Sequence, residues 1–87
     1  MTVYMVERNL KGIAISDLAA AQKLAISTSS TYAAKGTPMR YIRSTFAPED
    51  GRCMCLFEAN SAEDVKRMND DAKLPYTRVV EALDLTP

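Results

Sequence analysis

Apolar positions change period along the chain. Thr2 to Leu10, TVYMVERNL, is β-branched and aromatic at its start and predicts a strand. Beyond Lys11 and Gly12, Ser16 offers a hydroxyl to free helix amides and Asp17 suits the positive end of a helix dipole. The alanine-rich segment that follows predicts a helix to about Lys35, stopped by Gly36 with Pro38 two residues on. MRYIRSTF reads as a second strand, and the turn Pro48 to Gly51, PEDG, folds it back onto RCMCLFEA as a hairpin. Asn60 with Glu63 three residues later predicts a capping box, opening a second helix that runs to about Lys73 and ends before Pro75. TRVVEALDL supplies the last strand.

This βαββαβ order predicts an α+β, ferredoxin-like fold: a four-stranded antiparallel sheet with two helices on one face, as a single domain over residues 1–87. The other sheet face needs cover. Val3-Tyr4-Met5-Val6 and Cys53-Met54-Cys55-Leu56-Phe57 are apolar on both sides, whereas a strand with one wet face should alternate. A homodimer whose sheets pack face to face, a dimeric α+β barrel, resolves the conflict.

Polar residues interrupt the apolar stripes. The spacing that turns Leu18, Ala21 and Ala25 inward also turns Gln22 inward, and the stripe of Val65, Met68 and Ala72 takes in Asn69. A buried amide without a partner costs a few kcal/mol, so each predicts a hydrogen bond, a water or a ligand; strand carboxylates and guanidiniums are the candidate partners. Glu7 continues the side of the first strand shared by Val3 and Met5, and strict alternation places Arg43 with Tyr41 and Thr45. Convergence of Glu7, Gln22, Arg43 and Asn69 would form a polar ligand pocket, with Tyr4, Tyr41, Phe46 and Tyr76 as walls. Separate neighbour pairings of the same residues are the alternative.

Charge narrows the partners. Eleven basic and eleven acidic residues leave no general attraction to phosphate backbones or anionic lipid, arguing against nucleic acid. No apolar run approaches the ~20 residues of a membrane span, and the early acid and base are unlike a signal peptide; a cytoplasmic protein with reduced thiols is expected. Cys53 and Cys55 share one side of their strand with Phe57, and two thiolates without a single histidine fall short of a zinc site. Core packing is the favoured reading of the pair. A reactive Cys53, next to Arg52 and the turn, stays open.

YMVERNLKGI, PEDGRCMCLFEA and SAEDVKRMNDDAKLPYTRVVE resemble a family of small ferredoxin-like proteins, a domain of unknown function with nickel-binding members in actinobacteria. The resemblance covers nearly the whole chain and implies a face-to-face homodimer. The histidines of the nickel-binding members fall here on Glu7, Gln22, Asn69 and Leu74, so every imidazole is lost and a tight nickel site is not expected. What the resemblance leaves as a weak metal set is Glu7, Gln22 and Asn69, with Cys55 at the family's cysteine position.

Three functions remain open. The first is a homodimer binding a small molecule or a weakly held divalent cation such as nickel, with no tightly held cofactor. The second is a cofactor-independent isomerase, cyclase or lyase in which Glu7 is the acid or base, Arg43 stabilises an enolate or carboxylate, and Gln22 and Asn69 orient the substrate. The third is a structural or regulatory dimer without a ligand. The absence of histidine weighs against the second, since the commonest neutral-pH acid-base group is missing.

Overall fold

The structure, a computed structural model, describes residues Met1–Pro87. Six elements follow the expected order: β1 (Thr2–Asn9), α1 (Ile15–Ala34), β2 (Met39–Ala47), β3 (Arg52–Ala59), α2 (Ala62–Asp71) and β4 (Arg78–Glu81). The strands form one antiparallel sheet in the order β2-β3-β1-β4. Both helices lie on one face, α1 against β2 and α2 against β3 and β4, giving the ferredoxin-like α+β arrangement.

Strand alternation sorts side chains between the faces. Val6, Cys53, Cys55, Phe57 and Ala59 point to the helices and are buried, joining Ala25 of α1 and Val65 and Met68 of α2 in the core. Val3, Met5, Met54, Leu56 and Val80 point the other way and are only partly buried. The chain therefore leaves one apolar sheet face uncovered.

Three boundaries differ from expectation. Ala14 rather than Ser16 precedes α1 and contributes no side-chain cap; Asp17 in the first turn is left to oppose the helix dipole. Ser61, not Asn60, caps α2, its hydroxyl accepting from the Asp64 amide at 3.1 Å. β4 ends at Glu81 rather than near Leu85, because its pairing with β1 runs only from Glu7–Arg78 to Tyr4–Glu81.

The turn after β2 forms as the sequence predicts, with the Gly51 amide donating to the Ala47 carbonyl at 2.8 Å. Gly51 has φ +74°, and its carbonyl accepts from the Leu10 amide at 2.7 Å. A Cβ there would stand 2.3 Å from the Lys11 Cα, so both backbone angle and space require glycine.

One irregularity decides what faces the helices. The pairing of β2 with β3 shifts between Tyr41 and Arg43, so Tyr41 lies across from Phe57 while Ser44 lies across from Cys55. Tyr41 and Ser44 consequently share the helix side. Arg43 and Thr45 turn to the opposite face, correcting the expectation that Tyr41 and Arg43 share a side.

Candidate functional site

A cavity of about 150 Å³ opens between α1 and the sheet, lined by Arg8, Leu10, Leu18, Ala21, Gln22, Ala25, Ser44, Phe46, Cys53 and Cys55. Its walls are mainly apolar. Leu18, Ala21 and Ala25 come from the inward stripe of α1, and Phe46, Cys53 and Cys55 from inward positions of the hairpin.

Arg8 is the least expected member. It is 5% exposed, and its guanidinium donates to the Asn69 Oδ1 at 2.6 Å and the Pro75 carbonyl at 3.0 Å. Both acceptors are neutral, and no carboxylate forms an ion pair with it, unlike the surface arginines Arg40, Arg43, Arg52, Arg67 and Arg78. Asn69, fully buried, also donates to the Val65 carbonyl at 2.8 Å. The amide flagged by helical spacing thus finds a guanidinium partner on a strand: Arg8 of β1, not Arg43 of β2.

A second chain of hydrogen bonds crosses the cavity wall. Gln22 Nε2 donates to the Tyr41 hydroxyl at 3.0 Å, and that hydroxyl stands 2.6 Å from Ser44 Oγ. Ser44 in turn donates to Cys55 Sγ at 3.0 Å. Once Ser44 gives its proton to sulfur, the Tyr41 hydroxyl must donate to Ser44, so every donor in the relay is aimed toward Cys55. Cys53 Sγ lies 3.8 Å from Cys55 Sγ. Hydrogen bonding from Cys53, then from Ser44, together with the positive charge of Arg8, holds the Cys55 thiol below the ordinary thiol range against the effect of burial. Cys53 is pushed up by its bond to Cys55, by burial and by the charge beside it.

The expected site residues divide between the two sheet faces. Gln22, Phe46 and Cys55 line the cavity, while Tyr41 and Asn69 reach it through hydrogen bonds. Tyr41 also packs edge-on against Phe57, with ring centroids 5.5 Å apart. Tyr4 and Tyr76 pack on the core instead. Glu7 and Arg43 lie on the opposite face, so within one chain the four polar residues do not converge. Glu7 pairs with Arg78 and with Arg52, the latter at 3.7 Å; hydrogen bonding and charge from Arg78 hold its carboxyl below the usual carboxylate range. Arg43 pairs with Asp84 at 3.0 Å. Arg52 is likewise turned away from Cys53.

A metal fits this arrangement poorly. No three His, Cys, Asp or Glu side chains stand together, Glu7 is separated from Gln22, Asn69 and Cys55 by the sheet, and both ends of the Asn69 amide are occupied. The buried Arg8 would also repel a cation in the cavity.

The fold and this helix-side cavity define a ferredoxin-like α+β domain. Residues 4–82 match the family described as nickel responsive protein SCO4226-like, and the chain belongs to that family. Among solved structures, SCO4226 from Streptomyces coelicolor A3(2) is similar with a TM-score of 0.79 at 21% identity, covering 97% of this chain and 99% of that one. No curated protein matches. No helix is long and apolar enough to cross a membrane.

Proposed function

We propose that this chain is a small-ligand-binding homodimer whose helix-side cavity holds one uncharged ring-sized molecule bearing a hydrogen-bond-accepting group, and that it has no tight nickel site. The observation that carries the reading is the buried Arg8 beside an apolar cavity of about 150 Å³. A volume of that order accommodates a benzene-sized body. Arg8, Gln22 and Ser44 supply the few polar groups that orient a ligand in an otherwise apolar pocket. Two free thiols on one strand suit a reducing, cytoplasmic setting.

The partner is a second copy. The outer face presents Val3, Met5, Met54, Leu56 and Val80, fringed by Arg40, Glu58, Glu7 and Arg78, so it carries both an apolar centre and charges of both signs. Such a patch suits burial against its own copy. The carboxylate-enzyme alternative loses its base at this site, since Glu7 is paired with two arginines on the far side of the sheet.

Native mass spectrometry of metal-free protein, with benzoate, benzamide and nickel added in turn, tests the reading. A dimer that retains benzamide once per chain, holds benzoate less well and ignores nickel is expected. Leu56→Lys should give monomers. Nickel retained at a fixed ratio, or a cavity indifferent to both organic probes, would refute the respective parts.

A further inference from the structure

We infer that Cys55 is a nucleophilic thiolate, the counter-ion of Arg8, and that the cavity admits small uncharged electrophiles to it. A buried cation is costly without an anion close by. Arg8 has only neutral acceptors. The acidic groups that share its cavity are the thiols of Cys53 and Cys55.

Geometry selects between them. Cys55 Sγ receives the Ser44 hydroxyl at 3.0 Å, at the end of the Gln22–Tyr41–Ser44 relay, and stands 3.8 Å from the Cys53 thiol, which can donate to it. Cys53 receives no such relay. Two adjacent sulfurs cannot both ionise in a buried site, so a single negative charge settles on the one that receives more hydrogen bonds. The polar and titratable groups around Cys55 are Arg8 on β1, Ser44 and, through it, Tyr41 on β2, Cys53 on its own strand, Gln22 on α1 and, holding Arg8, Asn69 on α2. No carboxylate lines the cavity to oppose the thiolate. The lowered proton affinity of Cys55 agrees with this balance.

The chemistry is that of a low-pKa cysteine. With hydrogen peroxide, the Cys55 sulfur attacks one oxygen, the S–O bond forms as the O–O bond breaks, and hydroxide leaves and takes a proton from solvent. Sulfur is oxidised by two electrons to a sulfenic acid and the peroxide is reduced. The inference shares with the proposed function the buried Arg8 and the openness of the cavity to small molecules. Thiolate absorbance, read with nothing added, tests the ionisation apart from any ligand.

Ultraviolet titration of the intact protein should show one of the two thiols already ionised at about pH 7, where a free thiol of pKa about 8.5 is mostly protonated. That step should vanish in Cys55→Ser and survive in Cys53→Ser. Iodoacetamide at about pH 6, followed by peptide mapping, should label Cys55 at least tenfold faster in the parent than in Arg8→Gln, with Arg8→Lys keeping most of the rate. Brief peroxide should add one oxygen to Cys55. Two thiols titrating at the free value in the folded parent would overturn the inference whatever the variants do. So would an ionised Cys55 that iodoacetamide cannot reach in the native chain.

Discussion

Replacing Asn69 by leucine removes the side-chain partner of Arg8 while keeping the branching of the side chain, in a somewhat larger volume. The 2.6 Å bond from the guanidinium to Oδ1 is charge-assisted and fully buried, and bonds to charged groups contribute about 1.5–3 kcal/mol. Stranding the donor adds desolvation cost, whereas the new apolar side chain returns part of it through burial. Loss of the Asn69 donation to the Val65 carbonyl is cheap, since that carbonyl lies within α2 and retains its helical environment. The net effect should be a destabilisation of about 2–3 kcal/mol, a large share of the roughly 4–13 kcal/mol expected for a chain this long. In a domain of this size that corresponds to a fall in Tm of roughly 10–20 °C. Urea unfolding followed by far-ultraviolet circular dichroism, at one fixed protomer concentration so that association does not enter, reads it directly. Asn69→Asp is the informative companion: it keeps an acceptor for Arg8, adds a carboxylate, and should raise the pKa of Cys55 by competing for the same cation. A leucine variant within about 0.5 kcal/mol of the parent would refute the dependence of Arg8 on Asn69.

Two further outcomes follow from other parts of the fold. Because pairing with Arg78 depresses the Glu7 carboxyl, its contribution to stability is present above the ordinary carboxylate value near 4.5 and is lost as pH falls through the lowered folded value; Glu7→Gln should flatten the acid limb of a Tm-against-pH curve, and an unchanged limb would contradict the pairing. Gly51→Ala should cost at least about 1–2 kcal/mol in thermal or urea unfolding, from the φ of +74° together with a Cβ placed against the Lys11 backbone.

Much of the architecture was legible because each boundary had a local cause. The PEDG turn, Gly36 and Pro75 punctuate elements whose internal periods differ clearly, so order and type followed. Helix starts were less legible: Ala14 offers no hydroxyl to announce α1, and Asn60 and Ser61 are adjacent residues of equal capping ability. The site was half legible. Helical spacing singled out Gln22 and Asn69, and both meet hydrogen-bond partners at the cavity. Arg8 was not legible because β1 is apolar on both faces, which leaves the inward side undetermined by alternation alone. The available clue was the cysteine row: thiols are among the most buried groups, so Cys53 and Cys55 mark the helix side of β3, but only the β1–β3 register puts Arg8 across from Cys53. Ser44 was hidden for a different reason. Strict alternation from Tyr41 sends it outward, and the irregularity at Ile42 carried no glycine or proline to signal it.

That irregularity makes register at one point as consequential as residue identity. Deleting Ile42 would remove the extra residue and leave every later address unchanged, with Ser44 and Phe46 still toward the helices and Arg43 and Thr45 still on the outer face. Pairing Ile42 regularly with no residue lost would instead send Ser44 and Phe46 outward, disconnect the Tyr41–Ser44–Cys55 relay and turn Arg43 toward the core, with no functional side chain itself altered. When this strand is compared with others of its kind, counting from the PEDG turn backwards preserves the chemical correspondence, and counting from the strand's start does not.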